Sequence, residues 1–330
     1  MKKIFKSEVN LLEVRNLTAA FQTENGLVRA VDDVSFDVPR GKCVGIVGES
    51  GCGKSVTAMS LVRLLPQPEG KILRGRVMFD GEDVLKMSHE RLRELRGGQV
   101  GVIFQEPLRA LNPVHRIGDQ IAEILMQHRG LTQAAAFREA VNILNFVHMP
   151  DPASRVKEYP MSLSGGMRQR VVIAMALACR PALIIADEPT TALDVTVQQQ
   201  ILALIRELRE GMNSSAVLIT HDLGVIAQNC DYVVVMYGGR VVERAEVTEL
   251  FNNPLHAYTK ALLASMPRPE YARKSRLPTI PGSVAAIHEF VPGCRFCQRM
   301  GRSGDTIIDR PRLLELAPNH FVEACPLCIE

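Results

Sequence analysis

Gly48-Glu49-Ser50-Gly51-Cys52-Gly53-Lys54-Ser55 satisfies GxxxxGK[ST], a spacing suited to phosphate capture. Glycines let backbone N–H groups curl around phosphate oxygens, and the N-terminus of a following helix adds positive partial charge. Lys54 has the length to reach β- and γ-phosphates, and the Ser55 hydroxyl can ligate Mg²⁺. A second group, Leu183-Ile184-Ile185-Ala186-Asp187-Glu188, is an apolar run ending in two acids. Asp187 suits a Mg²⁺ shell, and Glu188 suits orienting or deprotonating an attacking water. Cys294, Cys297, Cys325 and Cys328 form two CxxC pairs, enough thiolates for a [4Fe–4S] cluster or a tetrahedral Zn²⁺. The gap between the pairs exceeds the ~15–20 residues of a zinc-ribbon pattern. Four free thiols on a degenerate tail are the remaining reading. Cys52 lies in a loop built to attract anions, so its thiol is expected to ionise easily and to react when nucleotide is absent.

These residues need elements to hold them. Short apolar or alternating runs predict strands at 12–14, 28–38, 43–47, 76–79, 100–104, 183–186, 216–220 and 232–236. Helical spacing appears at 56–65, ended by Pro66, and at 117–126, 134–147 and 195–208. Strands alternating with helices predict an α/β fold with a largely parallel sheet. A mainly helical insertion near 106–178 separates two parts of that sheet. The phosphate loop falls between a strand and a helix, and the acid pair at a strand end, which is where their chemistry requires them. Beyond about residue 254 the composition shifts. Pro267, Pro269, Pro278, Pro281 and Pro292 punctuate a linker-like stretch leading into the cysteine-rich tail. That tail reads as poor in core residues, so a metal clip is expected to supply fold energy there.

Composition narrows the function classes. Hydrophobic residues make up 46% and charged residues 23%, which excludes disorder across the chain. A formal charge of +3 and the absence of Trp give no case for nucleic acid. The most apolar stretches, 171–178 and 182–186, fall short of the ~20 residues a bilayer-spanning helix needs. The start, Met1-Lys2-Lys3-Ile4-Phe5-Lys6, has no apolar core of a secretory signal, so a cytoplasmic location is expected. In that reducing compartment paired CxxC motifs imply metal ligation more than disulfides.

Leu163-Ser164-Gly165-Gly166-Met167-Arg168-Gln169-Arg170, about twenty residues before the acid pair, resembles the signature sequence of the ABC ATPases. A Ser and two glycines at a helix start make a second phosphate cradle. The resemblance covers roughly residues 10–330. It implies a P-loop NTPase (RecA-like) core with an ABC antiparallel β subdomain, an inserted α-helical subdomain and a small C-terminal extension. It divides the chain into a nucleotide-binding domain at 10–253, with the helical subdomain at about 106–178, and an extension at 254–330. By the same resemblance ATP is bound by Phe21, Gly48, Glu49, Ser50, Gly51, Cys52, Gly53, Lys54, Ser55 and Val56. Phe21 is the counterpart of an adenine-stacking aromatic; a core Phe in a strand is the other reading of that residue. Leu163, Ser164, Gly165, Gly166 and Gln169 cap the ATP of the opposite subunit. Glu188, His221 and Gln105 are the catalytic set, and Ser55, Gln105 and Asp187 hold Mg²⁺. Ala192-Leu193-Asp194 resembles the loop that communicates across the dimer.

Within that family, the loop with Glu49, Phe104-Gln105-Glu106-Pro107, Leu111-Asn112-Pro113, and the run from Ala186 through Thr196 resemble the oligopeptide/dipeptide/nickel importer group. So do Asn253-Pro254-Leu255-His256-Ala257-Tyr258-Thr259 and the extension from Pro281-Gly282 to Pro292-Gly293-Cys294-Arg295-Phe296. Cys52 departs from the Ser often found there, and Ala257 from a second Pro. The group's tail often carries four cysteines suited to an iron–sulfur cluster. Cys294 matches the first and Cys325 the last; Met300 stands at the second, and nothing in 303–308 replaces the third. Cys297 and Cys328 are then substitutes, or the site is lost. Iron–sulfur ranks ahead of zinc on this resemblance. The implied function is ATP hydrolysis energising a bacterial importer of peptides or a related small solute. The implied partners are a second ATPase subunit (a sister chain), two transmembrane permease subunits and an extracytoplasmic solute-binding protein. The implied location is peripheral, on the cytoplasmic face of the inner membrane. A soluble ABC ATPase of DNA repair or translation is the alternative.

Overall fold

The computed structural model describes residues 9–24, 26–191, 193–267 and 278–329. The N-terminal start, Ala192 of the dimer loop and Pro269 of the linker lie outside the described residues. The chain forms two compact units. One comprises Met1–Pro39, Cys43–Leu85 and Thr220–Glu330; the other comprises Arg40–Lys42 and Lys86–Ile219.

The first unit holds two sets of strands. Asn10–Thr23 pairs antiparallel with Gly26–Pro39 on one edge and Gly70–Phe79 on the other, and Glu82–Asp83 extends the latter. These strands run well beyond the short 12–14 and 76–79 segments expected from alternation. Register shifts around Val14, Leu17 and Ala19 break the strict period of two along the first strand. The second set starts with Cys43–Val47, parallel to Tyr232–Tyr237. Both are buried throughout and read as continuous apolar runs, as covered parallel strands do. Arg240–Glu246, His320–Glu323 and Leu313–Ala317 then add antiparallel. Arg240–Glu246 and His320–Glu323 were not legible as strands, because Arg240, Glu243, Arg244 and His320 interrupt the apolar pattern with buried polar groups; Leu313–Ala317 is mostly exposed at the sheet edge.

The second unit contains three parallel strands, Val100–Ile103, Leu183–Asp187 and Ser215–Thr220 (through Ile219), in register side by side. Around them lie the helices Ile117–Arg129, Gln133–Phe146, Gly165–Leu177 and Val195–Met212. The first two are amphipathic and bury Ile117, Ile121, Leu125, Ala136, Ala140 and Leu144. Their positions match the predicted helical insertion. No helix among the described residues is long and apolar enough to cross a membrane.

The tail differs from its sequence reading. It is not poor in core. Cys294, Phe296, Cys297, Cys325 and Cys328 pack in one apolar cluster with Val47, Ile226, Val235, Tyr237, Leu250 and Tyr258. Residues from 254 onward thus share the core of the unit that carries the phosphate loop. Charge ties the same parts together. Asp32 is buried and accepts from Arg240 at 2.9 Å, Arg295 at 2.9 Å and Arg310 at 3.3 Å. Burial alone would raise its pKa, but the three guanidiniums outweigh it and hold the carboxyl below the ordinary carboxylate range.

His320 and Glu243 form a second buried pair at 2.7 Å, and Glu243 also accepts from the N–H groups of Leu255 and His256. Burial works to lower the His320 pKa; the Glu243 bond and the charge of Glu249 outweigh it and hold the imidazole above its ordinary value. A group raised on folding contributes stability below its unfolded pKa, about 6.5 for His, and loses it as pH rises through the folded value. Wild type should therefore exceed His320→Gln in thermal midpoint most at and below about pH 6.5, with the margin shrinking at higher pH. Thermal denaturation of both proteins across that range checks this; a margin constant with pH would mean that the pair carries no charge.

Candidate functional site

The strand Cys43–Val47 delivers residues 48–55, and the helix Lys54–Leu61 leaves them. The path is set by close approach. A Cβ on Gly48 would lie 2.2 Å from the Met236 carbonyl oxygen, and one on Gly53 would lie 2.5 Å from that of Ala30. Gly53 also has φ 97°, in the left-handed region. Lys54 is buried, and its ammonium donates to the carbonyl oxygens of Gly48 at 2.8 Å and Glu49 at 3.1 Å. Ser55 and Val56 are half-buried on the first helical turn, and Ser50 and Gly51 are exposed. The helix begins at Lys54 rather than Val56 and ends at Leu61, short of the expected 65.

Cys52 corrects an expectation. Its thiol is buried, and desolvation pushes its pKa up despite the nearby Lys54 ammonium. It is packed under the loop rather than displayed by it, so it is not the reactive thiol that the charge of the loop alone implied. Cys179 is half-buried.

In the second unit the strand Leu183–Asp187 ends in a buried Asp187, and Glu188 follows at φ 44°. A non-glycine residue in that left-handed region is uncommon and persists where its surroundings over-determine it. Here the Glu188 N–H donates to the Ile219 carbonyl at 3.0 Å. Its carboxylate accepts from Gln105 Nε2 at 3.1 Å and from Thr191 Oγ1 at 3.0 Å. Gln105 and Glu188, 83 residues apart in sequence, are thus in direct contact. Thr191 completes the grip; in the sequence only its place in the run from Ala186 to Thr196 marks it.

Ser164 caps the helix Gly165–Leu177, its hydroxyl accepting from the Met167 N–H at 3.4 Å. Leu163 and Gln169 are buried, whereas Ser164 is exposed. A Cβ on Gly166 would meet Val197 at 2.9 Å, so the helix Val195–Met212 limits what that position accepts. Asp194 caps that second helix, accepting from the Val197 N–H at 2.9 Å. In the first unit His221 is exposed directly after Thr220, and Phe21 is half-buried on its strand with Gly70 alongside.

The four tail cysteines converge. Their sulfurs all lie within 4.8 Å of one another, with Cys294–Cys328 at 3.7 Å and both Cys297–Cys325 and Cys297–Cys328 at 3.5 Å. All four are buried, with Cys294 capping the helix Arg295–Arg299. A hydrogen bond from Cys328 holds the Cys294 thiol down at about 3, while burial and the Cys294 charge push Cys325 up to about 12. Thiols this close resist joint ionisation unless a cation offsets their charge.

Sequence reasoning missed two residues that touch the phosphate loop. The Glu49 N–H donates to the Tyr258 hydroxyl oxygen at 3.0 Å, and the Glu49 carboxylate pairs with Arg299 at 2.5 Å. Tyr258 lay in a quoted motif with no role attached; Arg299 carried no signal at all.

The ABC transporter family profile matches residues 31–191, and that of the oligopeptide/dipeptide transporter C-terminal region matches residues 242–304. A probable peptide ABC transporter ATP-binding protein of Sinorhizobium fredii is 49% identical over 311 residues, covering 94% of this chain and 93% of that protein. The oligopeptide transport ATP-binding protein OppD of Bacillus subtilis is 44% identical, covering 95% of this chain and 88% of that protein. Among solved structures, the ATP-binding cassette MJ0796 as a dimer bound to ADP and phosphate superposes with TM-score 0.64 at 26% identity. It covers 72% of this chain, and this chain covers 98% of it. The chain belongs to the ATP-binding subunits of ABC transporters, ATPases coupled to transport, in their oligopeptide/dipeptide group.

Proposed function

We propose that this ATPase energises uptake of peptides by a membrane-embedded importer. Relatives named for peptide transport along nearly their whole length support this over DNA repair or translation. The observation that carries the hydrolytic part is the Glu188 carboxylate at the end of a buried strand, gripped by Gln105 and Thr191. In this reading Lys54 and the loop amides bind the β- and γ-phosphates, and Ser55, Gln105 and Asp187 hold Mg²⁺, which neutralises developing charge. Glu188 orients the attacking water and accepts its proton as the new P–O bond forms and ADP leaves. His221 contacts the γ-phosphate, and Phe21 stacks on adenine. Leu163, Ser164, Gly165, Gly166 and Gln169 cap the ATP of a second ATPase subunit, with Asp194 in the communicating loop. Functionally the chain divides into a nucleotide-binding domain at 10–253, with helices at 106–178 inserted, and an extension at 254–330. Two permease subunits at the cytoplasmic face of the cell membrane and an extracytoplasmic solute-binding protein complete the machine.

Glu188→Gln should bind ATP but hydrolyse it at least about a hundredfold more slowly in the assembled transporter, the scale of losing a general base. Steady-state phosphate release checks this, and near-normal turnover would remove Glu188 from the chemistry.

We also propose that the four tail cysteines hold a metal. One ion bound tetrahedrally at about 2.3 Å from each sulfur sets neighbouring sulfurs about 3.8 Å apart. Three of the six sulfur separations, at 3.5–3.7 Å, lie near that distance, and all six fall within 4.8 Å. In a four-iron cluster each thiolate sits on a different iron, which spreads the sulfurs further. The spacing therefore favours zinc over the iron–sulfur centre that the family resemblance ranks first. The ion would be structural, offsetting the thiolate charge and fixing the helix Arg295–Arg299 on the sheet. Anaerobic purification with metal and sulfide analysis should give about one zinc per chain and no acid-labile sulfide. Four irons with sulfide would restore the cluster, and a folded tail with neither would end the idea.

A further inference from the structure

The phosphate loop contains a carboxylate, and this is electrostatically awkward. Glu49 lies between Gly48 and Ser50, in a loop whose other features attract a highly charged anion. An ionised carboxylate there repels an anionic ligand and works against the attraction that the amides and Lys54 supply. The structure answers this charge from the far end of the chain. Arg299, 250 residues away in sequence, sets NH1 at 2.5 Å from the Glu49 carboxylate. The Arg299 side chain is 4% exposed and that of Glu49 31%, so water reaches the carboxylate side of the pair and screens it in part. The remaining donors are also fixed: Nε bonds the Pro281 carbonyl at 2.9 Å, and NH2 bonds those of Ile280 and Gly282 at 3.2 Å. The guanidinium therefore has one geometry rather than many. Beneath it Tyr237, Tyr258 and Phe296 pack ring against ring, with centroids 4.6–5.6 Å apart, and the Tyr258 hydroxyl takes the Glu49 N–H. Backbone and side chain of Glu49 are both held from outside the loop.

From this geometry we infer that Arg299 is a positioning residue for ATP binding: it neutralises Glu49 and fixes it in the loop, so that the C-terminal extension sets nucleotide affinity. The inference rests on residues 48–55 being the ATP phosphate site, as proposed above. It differs from a merely structural role in one measurable respect. If Arg299 works by cancelling the Glu49 charge, removing that charge should compensate for losing Arg299.

The test is Mg-ATP affinity of the full chain by equilibrium titration, with thermal denaturation confirming the fold of each variant. Arg299→Ala should weaken binding about tenfold, less than stranding one partner of a fully buried pair costs, because Glu49 is 31% exposed. Arg299→Gln, which keeps donors for the 280–282 carbonyls but drops the charge, should weaken it likewise and serves if the alanine variant does not fold. Adding Glu49→Gln to either should recover most of the loss. Unchanged affinity in the Arg299 variants, or a loss that Glu49→Gln does not recover, overturns the inference. Lys54→Ala separates this from failure of the site itself. If Lys54→Ala binds ATP as tightly as wild type, the loop is not the phosphate site and both readings fall. If Lys54→Ala abolishes binding and the Arg299 variants bind normally, only the role of Arg299 falls.

Discussion

A backbone turn that admits no side chains governs the first unit. At Gly48 and Gly53 the loop passes so close to the carbonyls of Met236 and Ala30 that one added carbon would collide with either. Neither neighbour is a flexible side chain, so the loop cannot bulge away without moving the strand Tyr232–Tyr237 or the strand Gly26–Pro39. The entry of the helix Lys54–Leu61 and the inward position of Lys54 follow from that passage. A bound phosphate needs the same amides that the turn exposes.

Legibility from sequence tracked how local each signal is. The phosphate loop, the acid pair and the LSGG start announce themselves because each is a contiguous run at one element boundary. The parallel strands were legible because burial on both faces makes them unbroken apolar words such as Tyr-Val-Val-Val-Met-Tyr at 232–237. The strands Arg240–Glu246 and His320–Glu323 were not, since buried Arg240, Glu243 and His320 mimic a solvated stretch until their partners are known. Cys52 failed for a related reason. Local charge implied an ionisable thiol, but burial, which sequence does not display, decides the sign of its shift. Arg299 had no local signal because its meaning depends on a residue 250 positions earlier.

Buried charge in this protein is concentrated where distant segments meet. Asp32 gathers arginines from the strand Arg240–Glu246, the helix Arg295–Arg299 and Arg310. Removing Asp32 would leave Arg240 and Arg295 without the carboxylate they share in a poorly hydrated place, which is far costlier than the pairing is favourable. These contacts join the tail to the early strands by charge, alongside the apolar cluster that the tail shares with the same unit.

The division of the chain has a consequence for its manufacture. Residues 86–219 form a unit that is almost continuous in sequence, so nearly all of its contacts are available once that stretch leaves the ribosome. The other unit is split around it. Its phosphate loop emerges early, but Arg299, the strand His320–Glu323 and the cysteines at 325 and 328 emerge only after the whole of the other unit. Until then the early segment waits with an unanswered carboxylate and an uncovered sheet edge, a state prone to aberrant pairing. A message cut short before Arg299 would thus yield a chain bearing every nucleotide motif, with the unit at 86–219 able to close and the unit around the phosphate loop left open.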